Sequence, residues 1–229
     1  MSVDLNCDMG ELEDAVLEAA LMGQVRSANI ACGGHAGNAT SMERSVRLAL
    51  AHGVRIGAHP GYPDRANFGR VEMTLTAEEL ADTVHRQILR LDGTVKRMGG
   101  KVVQVKPHGA LYHAAARDEA VARAIGDGVA RWNPRGAVIG LAGSPALEVW
   151  RGMGLRSLAE GFADRRYEPD GTLRSRSKAG ALITDPRAAA AQAVRLARDG
   201  KAQTICVHAD TPRAVEILQA CREALLYEA

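Results

Sequence analysis

Short apolar runs rich in valine, isoleucine and leucine alternate along the chain with longer segments whose apolar residues recur at helical spacing. Seven of the short runs have the length and composition of strands, and they cover residues 3–6, 28–32, 54–58, 102–106, 137–142, 156–160 and 204–208. Because strand and helix patterns alternate from one end to the other, the sequence predicts βα units around a parallel sheet.

Local signals between these runs predict where helices begin and end. The segments 40–43 and 76–79, Thr-Ser-Met-Glu and Thr-Ala-Glu-Glu, have the spacing of capping boxes. Gly53 and Gly99 fall where helices should stop in a left-handed conformation. The last helix is predicted to begin near Thr211, because apolar residues recur beyond it at helical period.

Composition adds an estimate of size and of partner type. No linker divides the 229 residues, so the sequence predicts one domain over 1–229. Lys and Arg total 29 against 27 for Asp and Glu, a net charge of +2, which favours neither nucleic acid nor an acidic membrane surface as partner. A small molecule or another protein is the expected partner.

The first residues carry charges where a secretory signal needs an apolar run, and no apolar stretch of about 18 residues follows. We therefore expect a cytoplasmic protein. Its four cysteines show neither a C-x-x-C pair nor zinc-ribbon spacing, which predicts that most of them are small buried hydrophobes. They are Cys7, Cys32, Cys206 and Cys221.

Nearly every predicted strand delivers an ionisable or amide side chain at its carboxyl end. In parallel sheets and β/α barrels these ends meet at one edge, where the connecting loops form ligand sites. The sequence therefore predicts one polar site at this edge. The residues concerned are Asn6, Asp8, His35, His59, Lys106, His108, Glu160, His208 and Asp210.

The loop Cys32-Gly-Gly-His-Ala-Gly37 is the most unusual of these connections. It lacks the Gly-Lys-Ser/Thr ending of a P-loop, and the chain contains no Gly-x-Gly-x-x-Gly, so neither phosphate-binding motif is supported. One interpretation is a tight turn with a solvated histidine. Since His59 and His108 follow equivalent strands, we favour a site to which three imidazoles contribute, with the glycines letting backbone approach the ligand.

Two further loops carry candidate chemistry. Lys106 would emerge from a buried strand beside His108, where desolvation lowers a lysine pKa and a cation can also stabilise an oxyanion; the alternative is a lysine that extends its amine to solvent. The segment 160–167 contains two acids and two arginines. It is either a solvated ion-pair network or a guanidinium site for a substrate carboxylate.

Five segments taken together, 4–11, 29–37, 57–64, 105–109 and 162–167, resemble the LamB/YcsF family, and the likeness extends from residue 4 to about 210. The resemblance implies a seven-stranded TIM-like β/α barrel related to the polysaccharide deacetylases. It also implies the family's characterised activity, in which 5-oxoproline is opened to L-glutamate with ATP hydrolysis in a complex with subunits B and C. The missing P-loop then fits ATP bound mainly by those partners.

The same resemblance suggests roles for the polar edge. We expect Lys106 and His108 to stabilise charge on the lactam oxygen, and Asp8 or Glu11 to position or deprotonate water. Either of two arginines could bind the substrate carboxylate. The predicted substrate-binding residues are Asn6, His35, His59, Glu160, Arg166, Arg176, His208 and Asp210.

The chain departs from the family pattern at Asn38, where aspartate is usual, and at Ala209, where glycine is usual. The loop after Glu11 and the segment before Thr204 are also shorter than is common. A paralogue that opens another lactam is therefore one alternative, and a non-catalytic binding or regulatory subunit is a second. A homo-oligomer is compatible with the sequence as well.

A third alternative is a metal-dependent deacetylase or amidohydrolase. Imidazole and carboxylate groups suit a zinc-like ion that activates water, although these residues form no closely spaced motif. The predicted ligands are His35, His59 and His108 with Asp4 or Asp8.

Overall fold

The computed structural model describes residues 3–227, and within that range seven parallel strands close into a barrel in chain order. The register of the first strand against the last, with Asp4 opposite Thr204, completes the closure. This confirms the seven-stranded TIM-like β/α barrel predicted from the sequence. The strands are β1 (Asp4–Met9), β2 (Ser27–Ala31), β3 (Arg55–His59), β4 (Val102–Val105), β5 (Ala137–Leu141), β6 (Arg156–Phe162) and β7 (Thr204–Cys206).

Eight helices within the described residues surround the barrel, and the apolar core lies between them and the strands. Trp150 is buried in this layer, and its indole Nε1 donates to the Ala122 carbonyl oxygen at 2.8 Å. No helix in this part of the chain has the length and apolar character needed to cross a membrane. The helices are α1 (Ala15–Met22), α2 (Ala39–Ala51), α3 (Ala77–Arg97), α4 (Gly109–Arg117), α5 (Glu119–Trp132), α6 (Ala146–Gly152), α7 (Pro186–Arg198) and α8 (Ala214–Tyr227).

Helix ends follow the predicted signals with one exception. The capping box at Thr76 is confirmed, as are Gly53 and Gly99, with φ of +66° and +80° directly after their helices. The predicted box at 40–43 is wrong: Asn38 caps α2, and its Oδ1 accepts from the Ser41 amide at 3.0 Å. Asparagine is a stronger N-cap than threonine, which explains why the helix begins two residues earlier.

The barrel interior is polar at its centre. Along β1, Asn6 and Asp8 point to one face of the strand and alternate with Leu5 and Cys7, as the two-residue period of a strand requires. In most β/α barrels branched apolar residues fill this space. Here the inward side chains are amides and charged groups, and they provide the polar base of the candidate site.

Candidate active site

A cavity of about 480 Å³ opens at the carboxyl ends of the strands. The structure therefore brings together most of the polar residues that the sequence places at strand ends. They come from the ends of β1, β3, β4, β6 and β7 and from the loops that follow. The lining includes Asp8, Glu11, His59, Lys106, His108, Arg165, Arg176, His208 and Asp210.

Lys106 lies at the bottom of this cavity inside a buried ion cluster. Its Nζ is 3.0 Å from Asp8 Oδ1, 2.9 Å from Glu160 Oε1 and 3.2 Å from Cys206 Sγ. Burial opposes the charged form of the lysine, yet the neighbouring acids hold its pKa well above the ordinary value. Of the two possibilities raised by the sequence, the structure favours the second: desolvation does not lower this pKa, and Lys106 is a fixed cation suited to a developing oxyanion.

An amide network extends the cluster across the barrel. The Asn29 side chain donates to Asn6 Oδ1 at 2.9 Å and to Asp8 Oδ1 at 3.0 Å. Asn6 in turn donates to Glu160 Oε1 at 3.1 Å. Gln104 donates to Asn29 Oδ1 at 3.3 Å. Sequence reasoning missed Asn29 and Gln104, although each interrupts an apolar strand, and that interruption is the signal by which they could have been found.

Three imidazoles converge on one carboxylate oxygen beside the ion cluster. Glu11 Oε1 lies 2.9 Å from His35 Nε2, 3.3 Å from His59 Nε2 and 3.0 Å from His108 Nδ1. His35 and His108 stack with their ring centroids 3.6 Å apart. The expectation that His35 points into the site is consistent with this placement.

The glycines beside His35 serve packing rather than close approach to a ligand. A Cβ on Gly34 would collide with the Gln87 side chain, and a Cβ on Gly37 would lie 2.9 Å from the Ala31 carbonyl oxygen. Both neighbours belong to the protein. The glycines are required because the loop passes tightly between β2 and α3.

The tautomers of two histidines bear on what this cluster can bind. His59 Nδ1 lies 2.7 Å from the Lys106 carbonyl oxygen, and His108 Nε2 lies 2.9 Å from the Phe68 carbonyl oxygen. Since a carbonyl only accepts, both of these nitrogens carry hydrogen. The other nitrogens, His59 Nε2 and His108 Nδ1, face each other at 3.0 Å, so a cation between them, a proton or a metal ion, satisfies both.

The donor set fits a divalent metal ion. One ligand atom each from Glu11, His35, His59 and His108 lies within 4.8 Å of the others. The carbonyl bonds behind His59 and His108 are the second contacts that orient metal-binding imidazoles. The prediction that Asp4 is a ligand is wrong. Asp4 lies at the opposite end of β1, where its carboxylate accepts a hydrogen bond from Ser27 Oγ at 2.6 Å.

Without a metal, a proton supplies the positive charge of this cluster. Burial alone would lower the pKa of His59, but Asp8 and Glu11 raise it to about 9. Burial lowers the pKa of His35 to about 4. Burial also opposes ionisation of Glu11 and Asp8, but histidine hydrogen bonds lower the Glu11 pKa, and His59 with Lys106 lowers that of Asp8. At neutral pH the cluster therefore pairs ionised acids with a charged His59.

His208, which the sequence places at a strand end, lines the cavity and is paired with an aspartate that the sequence reasoning missed. Buried Asp164 lies 3.0 Å from His208 Nδ1 and also accepts the His208 amide and the Thr211 hydroxyl. Burial alone would raise the pKa of Asp164, but His208 and Thr211 lower it. Since the Asp164 carboxylate fixes the hydrogen on Nδ1, Nε2 is left to exchange a proton with a ligand.

The arginines of the loop after β6 are divided between cavity and solvent. Arg165 is 4% exposed and lines the cavity, whereas Arg166 is exposed and lies outside the lining, so its predicted contact with substrate is not supported by its placement. Arg176 lines the mouth, where its Nη1 donates to Asp210 Oδ2 at 2.8 Å. Arg70 donates to the same oxygen at 2.9 Å, which joins two rim loops.

Comparison with known proteins agrees with this architecture. A model described as the LamB/YcsF family matches residues 3–229. The A subunit of the 5-oxoprolinase of Pyrococcus furiosus is 44% identical over 240 residues, which cover 98% of this chain and 94% of that protein. The protein of the same name from Chloroflexus aggregans is 44% identical, with 98% and 95% covered. A lactam utilization protein from Thermus thermophilus superimposes with a TM-score of 0.92 at 42% identity and covers 100% of this chain and 97% of its own.

Proposed function

Because the chain belongs to the LamB/YcsF family, we propose that it is a lactam hydrolase that opens 5-oxoproline to L-glutamate with ATP hydrolysis, as the A subunit of a cytoplasmic complex with subunits B and C. The names of its curated relatives support the substrate and the place in such a complex. The observation that carries the proposal is a fixed, buried lysine cation in a cavity that is also lined by His208, whose imidazole is paired with buried Asp164. A small cyclic amide needs both kinds of group.

The chemistry explains the need for ATP. The lactam is a resonance-stabilised amide in a favoured five-membered ring, so opening requires an activated carbonyl oxygen. Transfer of the γ-phosphoryl group from ATP to that oxygen, with release of ADP, would provide the activation. Since the sequence contains no P-loop, we assign most of the ATP contacts to the partner subunits.

Lys106 is the group we assign to charge on the lactam oxygen. Its three N–H bonds point to Asp8, Glu160 and Cys206. Thiol sulfur is a weak acceptor, so the hydrogen directed at Cys206 is the one that can turn to a substrate oxygen at small cost. We assign His108 to the same oxygen, because it borders the same cavity.

Hydrolysis also requires two proton transfers. The water oxygen forms a bond to the carbonyl carbon and loses a proton to the Glu11–histidine cluster, while Asp8, which is ionised and paired, orients the water. The carbon–nitrogen bond then breaks to leave γ-glutamyl phosphate, which a second water cleaves to L-glutamate and inorganic phosphate, and the ring nitrogen takes a proton from His208 Nε2. Asp164 stabilises the imidazolium from which that proton comes. Asn6 and Glu160 are buried behind Lys106, so we assign them to its orientation, and Asp210, which lines the cavity, we assign to binding.

The four-residue donor cluster favours a second candidate function, a metal-dependent amidohydrolase that needs no ATP. Glu11, His35, His59 and His108 would bind the metal, which supplies Lewis-acid activation of water when present. Metal analysis of protein purified without an affinity tag tests this candidate. Stoichiometric zinc or a similar ion together with ATP-independent turnover supports it, and a metal-free active protein rules it out.

The decisive assay mixes the chain with candidate subunits B and C, ATP and 5-oxoproline, and follows glutamate and ADP together. We expect glutamate only when all components and ATP are present. Lys106→Met should abolish it, while Lys201→Met, which removes an exposed lysine, should not. No glutamate from a mixture whose partners work with an established family member would reject 5-oxoproline as substrate, and other lactams would then be screened.

A further inference from the structure

Arg165 is a buried guanidinium whose hydrogen-bonding capacity is mostly unused. It is 4% exposed, and its only side-chain hydrogen bond within residues 3–227 runs from Nη2 to the Arg174 carbonyl oxygen at 2.7 Å. Its Nε is buried without a partner. A guanidinium has five N–H groups, so Arg165, which lines the cavity, retains donors without a partner among the described residues.

The acids nearest to Arg165 are already committed to other groups. Asp164 accepts from His208 and Thr211, and Asp210 accepts from Arg70 and Arg176. Burial and then the positive charge of Arg176 lower the pKa of Arg165, and the charges of Asp164 and Asp210, neither of which forms a hydrogen bond to it among the described residues, offset this only in part. A buried charge without a partner is costly, so this corner of the cavity is suited to an anion supplied from outside the chain.

We infer that Arg165 forms a subsite for an anionic oxygen group and that the group is the carboxylate of the lactam substrate. The inference rests on the proposed function. It replaces the sequence prediction of Arg166 or Arg176, because the first lies outside the cavity and the second already binds Asp210. The planar guanidinium matches a carboxylate with two parallel hydrogen bonds.

The position of Arg165 next to Asp164 in the sequence supports a carboxylate over a phosphate as its ligand. Arg165 directly follows Asp164, which holds His208 on the same wall of the cavity. In 5-oxoproline the carboxylate is attached to the carbon next to the ring nitrogen. A carboxylate bound by Arg165 therefore brings the nitrogen toward His208, where the proposed proton transfer takes place.

The test uses Arg165→Gln and Arg165→Lys in the complete assay, with KM measured separately for 5-oxoproline and for ATP. Loss of a charged hydrogen-bonded pair, worth about 1.5–3 kcal/mol, raises KM for 5-oxoproline about 10- to 150-fold in Arg165→Gln. Arg165→Lys is intermediate, because lysine retains the charge but not the fork. Arg187→Gln, which removes an exposed arginine on α7, is the matched control.

A neutral ligand separates carboxylate binding from general damage to the cavity. 2-Pyrrolidinone has the same ring without the carboxylate, so its inhibition constant should be equal in the unmodified protein and in Arg165→Gln. Circular dichroism and the melting temperature identify a variant that has lost its fold, in which case Arg165→Lys alone decides.

Two results would overturn the inference. KM for 5-oxoproline within twofold of the unmodified value would show that no carboxylate binds Arg165, and an increase confined to KM for ATP would assign the subsite to a nucleotide phosphate. If the unmodified mixture produces no glutamate, the proposed function fails by itself. Calorimetry of 5-oxoproline against 2-pyrrolidinone on the unmodified chain and Arg165→Gln then decides the subsite separately.

Discussion

Replacing Lys106 by methionine removes the central charge of the buried ion cluster and keeps most of the side-chain volume. The lysine side chain is 3% exposed, and its partners Asp8 and Glu160 are 8% and 0% exposed. The Lys106 amine lies 3.0 Å from Asp8 and 2.9 Å from Glu160. In the variant, two carboxylates therefore remain close together in the barrel without their cation.

The expected loss of stability follows from this geometry. Breaking a buried ion pair by removing one partner costs about 3–5 kcal/mol. For a chain of this size, a loss of about 1 kcal/mol in unfolding free energy lowers the melting temperature by about 2–4 °C. The melting temperature of the variant should therefore fall by about 6–20 °C. Lys201→Met is the control, because Lys201 is 69% exposed and lies 3.5 Å from Asp199. That surface pair is worth at most about 1 kcal/mol.

Urea unfolding followed by the fluorescence of Trp132 and Trp150 measures the loss of unfolding free energy in Lys106→Met and in Lys201→Met. The pKa of Asp8 is lowered in the folded protein, so the stability gained from its pairing is present above the ordinary carboxyl pKa and disappears as the pH falls through the acid range. The deficit of Lys106→Met should therefore be larger at pH 7 than at pH 2.5, which lies below the ordinary carboxyl pKa. A deficit below 1 kcal/mol, or one that does not change with pH, would refute this account of the cluster.

Two further predictions concern the imidazoles on the two walls of the cavity. Asp164→Asn and His208→Gln should each lower kcat by about 10²- to 10⁴-fold in the complete assay, and the double variant should be no slower than the worse single variant, because the pair acts as a unit; additive losses would contradict this. Zinc should bind the metal-free chain more tightly as the pH rises from about 6.5 to 9, because Asp8 and Glu11 raise the pKa of His59 to about 9 and the metal must displace that proton. Calorimetry at pH 6.5, 7.5 and 9 checks this, and an affinity independent of pH would exclude His59 as a ligand.

The barrel could be predicted because strand and helix patterns alternate along the chain, and this alternation can be recognised even where the bounds of an individual strand are predicted incorrectly. The largest boundary error is at β1, predicted over 3–6 and observed as Asp4–Met9. Asp8 looked like the beginning of a loop because it is charged, yet it is an inward-facing strand residue that Lys106 neutralises. Hydrophobic patterning underestimates a strand wherever the barrel interior is polar.

The location of the candidate site could be predicted from the sequence, but the contacts between its side chains could not. Strand ends identified Lys106 and His108, because every parallel strand delivers its last residues to one edge. The distribution of contacts depends on loop paths that sequence spacing does not encode. Glu11 thus occupies the histidine cluster in place of Asp4, and Arg165 enters the cavity while Arg166 faces solvent.

The side chain at the departure Asn38 serves as a helix cap. Asn38 is the N-cap of α2, and its Oδ1 accepts from the Ser41 amide at 3.0 Å. Aspartate caps a helix about as well as asparagine, so the loss of a carboxylate here leaves the helix end intact. The departure at Ala209 imposes no strain either, because the non-glycine residues with positive φ within residues 3–227 are Phe68 and Arg213.

Neither departure therefore disturbs the local backbone, so the hypothesis of a paralogue for another lactam rests on the Ala209 side chain in the cavity lining and on the two shorter loops. Restoring the family residue tests this conclusion. Asn38→Asp should change the free energy of unfolding by less than about 0.5 kcal/mol, because the cap is retained, and should leave kcat/KM for 5-oxoproline within twofold. A tenfold or larger gain in kcat/KM would show that a carboxylate at this position acts on the reaction, and it would favour the paralogue hypothesis.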